Sequence, residues 1–240
     1  MRNIRRILYL FLVITFVVSL SGCKKSTPPA LPPAEIVANA IERLKGTAGF
    51  HFTIERTGTL AYINSDNTIA VNRIDGDFVT PDRVKGKIRV SVGGFAAEVS
   101  IVSIQGRYWQ TNPLNQTWEE YEPGTVFNPA LLFDSEMGIQ PMLQADLSEL
   151  TVVGNEKLNK WPDKQLYHLK GKMKGERIAE ITFQLIGPEV MDVDVWIAPN
   201  TFEVHRIQII DPVEGAVEPT IWAVDFLNYD QKADIQPPVP

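Results

Sequence analysis

The most specific chemistry in the sequence belongs to its single cysteine, Cys23. The run Leu20-Ser21-Gly22-Cys23 has the order of a lipobox, in which the cysteine thiol is alkylated by a diacylglyceryl group. The preceding segment has a basic start with three arginines and then the apolar run 7–18, which is typical of a cleavable signal peptide. We therefore expect residues 1–22 to be removed. Cys23 then becomes the lipid-modified first residue of the mature chain, on the extracytoplasmic face of the cell membrane.

Two features of residues 1–23 argue against other interpretations, namely an uncleaved membrane anchor and a disulfide. The apolar run 7–18 is shorter than the roughly 20 apolar residues that span a bilayer comfortably, so an uncleaved anchor is the less favoured interpretation. A lone cysteine also excludes a disulfide within the chain.

The charge balance restricts the partners of the mature chain. Removing the signal segment takes away three of the 23 basic residues and none of the 29 acidic ones, which lowers the formal net charge from −6 to −9. A negative balance argues against binding nucleic acid or anionic membranes in general. We expect the acyl chains to attach the protein to the membrane instead, with about 0.8 kcal/mol for each buried CH₂.

The remaining reactive residues do not form a catalytic pattern. His51, His168 and His205 are far apart in the sequence and lack the spacing of a metal site, and there is no GxSxG elbow or phosphate-binding glycine loop. Asp192 and Asp194 would share one face of a strand and offer two carboxylates to a divalent cation, although a solvated strand face is the favoured interpretation. The sequence therefore predicts no enzyme, no metal and no cofactor.

The elements before the middle of the chain follow from composition and periodicity. The proline-rich run 23–33 predicts an extended tether, and Ala34–Lys45 has the apolar spacing of an amphipathic helix that ends before Gly46. From Phe50 onward the apolar period changes to two, which predicts strands.

Two of these strands are especially regular. Arg83–Val92 and Phe95–Ile104 alternate apolar and polar residues and are joined by a tight Gly93-Gly94 turn. The basic stripe Arg83, Lys85, Lys87 and Arg89 lies on one face of the first strand. It indicates a solvated face, with contact to anionic headgroups as the alternative.

The second half of the chain predicts a different order of elements. Residues 127–144 are apolar but interrupted by Gly138 and Pro141, which predicts two short helices joined by a bend. Further strands are expected at Gln165–Leu169, Ile178–Ile186, Val190–Ile197, Val204–Ile210 and Ile221–Tyr229, and an irregular tail over residues 231–240.

This order predicts an α+β domain over residues 34–230, with an antiparallel sheet rather than a parallel one. Long antiparallel meanders curl, and the helices are the natural cover for the apolar concave face. The pattern leaves open whether the space between them is a filled core or a cavity.

Several short runs resemble one lipoprotein family, LppX/LprA/LprF/LprG. They occur in order along residues 34–230: Thr80–Gly86, Gly93–Val99, Ile104–Trp109, Thr117–Glu119, Phe127–Leu132, Gly138–Leu143, Val193–Ile197, Thr201 and Arg206–Ile209. The resemblance implies a strongly curved antiparallel half-barrel with helices packed on its concave face around an apolar cavity, similar to the LolA/LolB lipid carriers. It also implies a membrane-anchored, non-enzymatic protein that binds the acyl chains of a lipid or glycolipid and transfers it within the cell envelope, with an envelope transporter as a possible partner.

Pattern and resemblance together assign two sets of lipid-binding residues. The first is the cavity wall: Phe52, Ile54, Val84, Ile88, Val90, Phe95, Ala97, Val99 and Ile101. The second is a movable mouth formed by the two short helices: Leu131, Leu132, Phe133, Ile139, Met142 and Leu143. The alternative is a structural or sensory lipoprotein with a filled core, which uses an exposed apolar patch to bind a protein partner.

Overall fold

The computed structural model describes residues 31–64 and 66–239. The predictions for the signal peptide, for acylation of Cys23 and for most of the tether fall outside these residues. In the described part of the chain, no helix combines the length and the apolar character that crossing a bilayer would require.

A single antiparallel sheet of eleven strands forms the body of the molecule, in the order β6-β5-β4-β3-β2-β1-β11-β10-β9-β8-β7. The chain therefore starts in the middle of the sheet, builds outward to β6, and returns from the opposite edge at β7. The sheet curves into an open half-barrel. The strands are β1 (Gly49–Gly58), β2 (Ile69–Val79), β3 (Arg83–Val92), β4 (Phe95–Ile104), β5 (Arg107–Thr111), β6 (Trp118–Tyr121), β7 (Leu147–Leu158), β8 (Trp161–Met173), β9 (Met191–Ile197), β10 (Val204–Asp211) and β11 (Thr220–Leu227).

The helices cover the concave face of this sheet. They are α1 (Pro33–Lys45), a 3₁₀ helix (Pro129–Phe133), α2 (Ile139–Ala145) and α3 (Glu176–Ile181). α1 has proline at its start and basic residues in its last turn, which complement the helix dipole, and its buried stripe faces the sheet. The stripe consists of Ile36, Val37, Ala40, Ile41 and Leu44. The helix predicted over 34–45 and the two short helices predicted over 127–144 are confirmed.

Strand register places the connections at two ends of the sheet. We call the end at which β1 begins the near end; it carries the connections 80–82, 105–106, 159–160 and 198–203. We call the opposite end the far end; it carries the turns 59–68, 93–94, 112–117 and 212–219, and the longer β8–β9 connection 174–190. The segment 129–145, which we call the cover, runs from the near end to the far end beneath the concave face.

In the second half of the chain, one predicted strand is wrong and one strand was missed. Residues 178–186 form the end of helix α3 and a following turn, because Phe183 and Gln184 take positive φ angles of 56° and 62°. β7 (Leu147–Leu158) did not appear in the prediction, since its residues are mostly exposed on both faces and lack a clean alternation.

The predicted irregular tail has no regular secondary structure over residues 231–239, yet it packs on the sheet. Ile235 is buried on the outer face against Val102, Ile104 and Trp109. Arg83 donates a hydrogen bond to the carbonyl oxygen of Ile235 over 3.1 Å. The outer face of the half-barrel therefore has a small apolar cluster of its own at the β4–β5 side.

Candidate functional site

Aromatic rings fill the near half of the space between the sheet and the cover. Phe133 from the cover lies 4.6 Å from Phe52, 5.2 Å from Phe50 and 5.3 Å from Phe78 between ring centroids. Phe50 also contacts Phe226 edge-on, at 5.1 Å. These five rings, which we call the aromatic cluster, interlock at the distances that favour tilted and edge-to-face pairs.

The far half of the same space is lined by aliphatic side chains and contains a cavity of about 30 Å³. We call this region the seam. Its walls come from the central and returning strands of the sheet, from the cover and from α3 with the turn after it. The lining residues are Ile54, Ile74, Phe127, Leu132, Ile139, Met142, Leu143, Met173, Ile178, Thr182, Leu185, Ile186, Ile207, Ile209, Trp222 and Val224.

The seam is chemically uniform. Thr182 and Trp222 are the lining residues with polar side-chain atoms, and no charged side chain lines the seam in the described part of the chain. The Thr182 hydroxyl donates a hydrogen bond of 2.6 Å to the carbonyl oxygen of Ile178, which satisfies it within α3. A space with such walls offers little to water, because a buried water needs two to four polar partners.

The volume of the seam shows that the two layers are closed upon each other. A cavity of about 30 Å³ is a fifth of the roughly 150 Å³ of an engineered cavity that binds benzene. An acyl chain is larger than benzene, so it fits only if the walls move. The fold therefore contains an apolar space between two layers, in a conformation in which those layers are in contact.

The cover is held to the sheet by apolar contact. In the described part of the chain, the hydrogen bonds that tie residues 129–145 to other segments come from Arg177, at the start of α3. Arg177 donates to the Glu136 carbonyl oxygen over 3.2 Å and to the Asp146 carboxylate, just after the cover, over 2.8 Å. Helices of this length are marginal without packing, so the cover depends on the layer that it seals.

Two buried polar atoms beside the seam lack hydrogen-bond partners. The Trp222 indole N–H is buried and unpaired, although the side chain lines the seam. Asp211 ends β10 on the concave face at the far end; its Oδ2 accepts a hydrogen bond from the Gly187 N–H over 3.1 Å, whereas its Oδ1 has no partner. Burial raises the pKa of Asp211, and the hydrogen bond from Gly187 opposes that effect.

The predicted wall residues divide into three groups. Ile54 lines the seam. Five others are buried on the concave face outside the seam lining: Phe52, Val84, Ile88, Val90 and Ile101. The last three lie toward the start of β4, where the concave face is no longer covered. Val99 and Ala97 are half-buried there, and Phe95 is 80 % exposed. Phe95 therefore departs from the expectation of an interior wall residue, because it projects beyond the covering layer at the tip of the β3–β4 hairpin.

Four of the six predicted mouth residues line the seam: Leu132, Ile139, Met142 and Leu143. Phe133 belongs to the aromatic cluster instead. Leu131 and Phe133 also border a wider groove of about 450 Å³ at the near end, which Val84 and Tyr108 line from the sheet. That groove has charged residues at its border, including Asp82, Glu122 and Asp134, so it is a more polar space than the seam.

Most of the seam lining was not anticipated from the sequence. Most of the missed residues lie on β8, β10 and β11 and on α3 with its turn, for example Met173, Ile207, Trp222 and Ile178; the other two are Ile74 on β2 and Phe127 before the cover. The signal for the strand residues was present, since Ile207 and Ile209 alternate with polar residues as regularly as the residues of β3 do. The α3 residues were missed because the sequence over 178–186 has the alternation of a strand, and a strand was predicted there.

The acidic pair, His51 and His168 lie on the outer face, away from the seam, whereas His205 lies at the near end beside Trp161, 4.9 Å between ring centroids. Asp192 pairs with Lys172 over 2.7 Å. Asp194 is buried rather than solvated as predicted, because it accepts a 2.5 Å hydrogen bond from His168, whose ring stacks on Trp196. Within residues 31–64 and 66–239, no group of three His, Cys, Asp or Glu residues could hold a metal ion.

Comparison with known proteins places this geometry in a family. Residues 32–235, nearly the whole described domain, match the LppX_LprAFG lipoprotein family. The chain belongs to this family. It is therefore an envelope-associated, lipid-anchored protein, and its family consists of lipoproteins without a known enzyme activity.

Relatives and solved structures agree with this assignment. The lipoarabinomannan carrier protein LprG of Mycobacterium tuberculosis (strain H37Rv) is 22% identical over 202 residues, which cover 82% of this chain and 81% of LprG. The crystal structure of LprF from Mycobacterium bovis aligns with a TM-score of 0.66 at 14% identity, over 87% of this chain and 97% of LprF. LppX from Mycobacterium tuberculosis aligns with a TM-score of 0.60 at 13% identity, over 85% of this chain and 97% of LppX. At these identities the two structures establish a shared fold.

Proposed function

We propose that this lipoprotein binds the acyl chains of a lipid or glycolipid in the seam and transfers that lipid within the cell envelope. The observation that carries the proposal is the pairing of a continuous aliphatic space with a cover that lacks direct hydrogen bonds to the sheet. The relative LprG is named a carrier of lipoarabinomannan, a lipid-linked glycan, which supports an acylated ligand for this chain as well.

The closed state of the seam fits a carrier that opens only when a ligand enters. Moving one CH₂ from a bilayer through water costs about 0.8 kcal/mol, so a multi-chain lipid leaves a membrane very slowly by itself. A dry aliphatic space removes most of that cost, because each CH₂ exchanges one apolar environment for another. An empty seam would leave its lining without contacts, and closure of the cover restores them.

Opening the seam requires a movement of the cover rather than a rearrangement of the sheet. The cover contacts the sheet through side chains such as Leu132, Met142 and Leu143, and these contacts are non-directional. An acyl chain that enters replaces them with equivalent contacts. The net free energy of loading is then set mainly by what the cover loses at its hydrogen bonds with Arg177.

Extraction of bound lipid tests the proposal. We would incubate purified residues 24–240, which include the whole compact unit 32–240, with a lipid extract of a bacterial envelope, purify the protein again and identify bound lipids by mass spectrometry. We expect acylated lipid in the wild-type protein. The variant Met142→Trp fills the seam, so it should carry several-fold less lipid and bind the fluorescent fatty acid cis-parinaric acid more weakly.

The matched control is Met137→Trp, which places the same ring in the same cover at a half-buried position outside the seam lining. It should carry as much lipid as wild type. If the wild-type protein carries no lipid and binds no cis-parinaric acid, the proposal is wrong, and the filled-core lipoprotein that binds a protein partner becomes the better account.

A further inference from the structure

The exposed apolar side chains of the molecule are unevenly placed. Ten large apolar side chains are exposed in the described part of the chain, and seven of them lie at the far end. Leu114 is 94 % exposed, Val217 is fully exposed and Phe95 is 80 % exposed. We call the six that lie on or beside the four far-end turns the apolar rim: Leu60, Val92, Phe95, Leu114, Val213 and Val217. Val190, on the β8–β9 connection, is the seventh.

The near end provides an internal comparison. It carries four connections between strands against five at the far end, yet no large apolar side chain is exposed on 80–82, 105–106, 159–160 or 198–203. Single exposed apolar residues are ordinary on a protein surface, but a concentration at one end marks an interaction surface.

The far-end turns project away from the folded core. At Gly93 and Gly94 in the β3–β4 turn, and at Gly215 in the β10–β11 turn, an added Cβ atom would meet nothing within 4 Å. The apolar side chains beside these glycines therefore stand on tips that the rest of the domain does not pack against. Hydrogen bonds join some of the turns, since Thr59 donates to the Pro219 carbonyl oxygen over 3.2 Å and Gly93 donates to the Thr68 carbonyl oxygen over 3.3 Å. The rim is therefore a group of protruding apolar side chains, which a fluid apolar phase can surround more fully than a flat protein surface can.

The charges near the rim distinguish electrostatic attraction from apolar insertion as the way it binds such a partner. The four turns contain no lysine or arginine, and their charged residues are Asp66, Glu214 and Glu218. The basic stripe on β3 lies on the outer face, and the two of its residues nearest the rim, Lys87 and Arg89, both pair with Glu98. Attraction to anionic headgroups therefore does not explain the rim, whereas insertion of apolar side chains into the interfacial layer of a bilayer does.

The lipid anchor keeps the domain near a bilayer. The nine residues 24–32 that link the anchor to the domain can reach at most about 30 Å, at about 3.3 Å per residue. We infer that the far end of the sheet is a membrane-contact surface, at which the apolar rim inserts into the interfacial layer of the bilayer. The seam lies in the same half of the domain, so this contact would present its far-end side, near α3, to the lipid phase.

Vesicle binding by the unanchored protein tests the inference, because the anchor would mask the contribution of the rim. We would measure co-sedimentation of residues 24–240 with phosphatidylcholine vesicles, for wild type and for the double variant Phe95→Ser/Leu114→Ser. The wild type should bind, and the double variant should bind about tenfold more weakly because two exposed apolar side chains are removed. Adding phosphatidylglycerol to the vesicles should not strengthen binding, since the rim is acidic.

The matched control is Val153→Ser, which removes an exposed apolar side chain on the edge strand β7. Its binding should equal that of the wild type. The inference is overturned if wild type does not bind phosphatidylcholine vesicles, if the double variant binds as wild type does, or if Val153→Ser loses binding equally. It is also overturned if wild type forms dimers that the double variant lacks, because the rim would then join two copies of the chain.

These outcomes are independent of the proposed carrier function. The variant Met142→Trp lies inside the seam, so it should retain vesicle binding while losing lipid. A protein that binds vesicles but never contains lipid would support the rim and contradict the carrier.

Discussion

The near and far halves of the space under the cover are built from the same two layers, but they are packed differently. In the near half, Phe133 reaches down between three rings of the sheet at centroid distances of 4.6–5.3 Å. In the far half, Met142 and Leu143 meet aliphatic walls around a residual cavity of about 30 Å³. Rigid rings fit each other in few ways, whereas the Met142 and Leu143 side chains of the cover can adapt to many shapes.

This difference indicates that the two ends of the cover behave differently. Phe133 and Leu143 are ten residues apart on the cover, with Gly138 between the 3₁₀ helix and α2. A Cβ atom at Gly138 would lie 2.5 Å from the Leu132 carbonyl oxygen, so the chain can bend there only with glycine. We therefore expect the 3₁₀ helix to stay fixed in the aromatic cluster while α2 moves away from the seam.

The largest effect should come from the fixed half. Phe133→Ala removes a ring that contacts three others, and we expect the free energy of unfolding to fall by about 3–5 kcal/mol. Chemical denaturation monitored by tryptophan fluorescence measures this change. A loss below about 1 kcal/mol would mean that the cluster relaxes around the missing ring, and the two halves would then not differ as described.

A smaller effect is expected when the seam itself is enlarged. Leu143→Ala should cost about 2 kcal/mol, at the low end for buried leucines, because its neighbours are already loosely packed. The control Leu169→Ala truncates a fully buried leucine of β8 outside the seam lining, and it should cost about 4 kcal/mol. Equal losses in the two variants would contradict a loosely packed seam. Lipid content should rise in Leu143→Ala and stay unchanged in the control.

The buried carboxyl of Asp211, at the far end, should lower the free energy of unfolding at neutral pH. At neutral pH an ionised Asp211 has one hydrogen bond for two buried oxygens, so Asp211→Asn should stabilise the protein by about 1 kcal/mol. Burial raises the pKa of Asp211, and the folded state therefore binds more protons than the unfolded state between the two pKa values.

The stability that protonated Asp211 contributes is thus fully present below its unfolded-state pKa and is lost as the pH rises through its folded-state pKa. The advantage of Asp211→Asn should accordingly be largest near pH 7 and should shrink as the pH is lowered. Melting temperatures of both proteins across that range provide the measurement. An advantage that does not change with pH would rule out titration of this carboxyl as its source.

The smallest effect on stability should come from the tie between the cover and α3. Arg177→Ala removes a half-exposed ion pair with Asp146, which we expect to be worth less than about 1 kcal/mol. Hydrogen exchange of residues 139–145 should nevertheless become faster, and that of residues 129–133 should not. The control Arg107→Ala breaks an exposed pair with Glu120 on β5 and β6 and should leave exchange in the cover unchanged.

The sequence predicted correctly those features that depend on residues within a single helix, hairpin or turn. The stripe of α1, the β3–β4 hairpin with its two glycines and the bend at Gly138 each depend on residues close together in the chain, and these elements are confirmed. α3 was misassigned because Ile181, Phe183 and Leu185 alternate with polar residues, as in a strand. The left-handed conformations at Phe183 and Gln184 that break this pattern have no signature in the residue types.

Only part of the seam lining could be predicted from the sequence, because the sheet pairs strands that are far apart in the chain. Ile54 on β1 and Val224 on β11 are direct partners, although 170 residues separate them. Local periodicity shows that each strand has an apolar face, but not which strands become neighbours when the chain returns from the opposite edge. The predicted wall therefore came from the first four strands, whereas four of the six predicted mouth residues, which lie within one short segment, line the seam.

The half-barrel is open because its first and last strands in the sheet, β6 and β7, do not pair with each other. A closed barrel has a diameter fixed by its strand number and register shift. An open sheet has no such constraint, and small changes of twist at each of ten strand pairs alter its curvature without breaking ladder hydrogen bonds. The sheet can thus bend slightly over its whole arc, with its strand pairing kept, and so follow whatever position the cover takes.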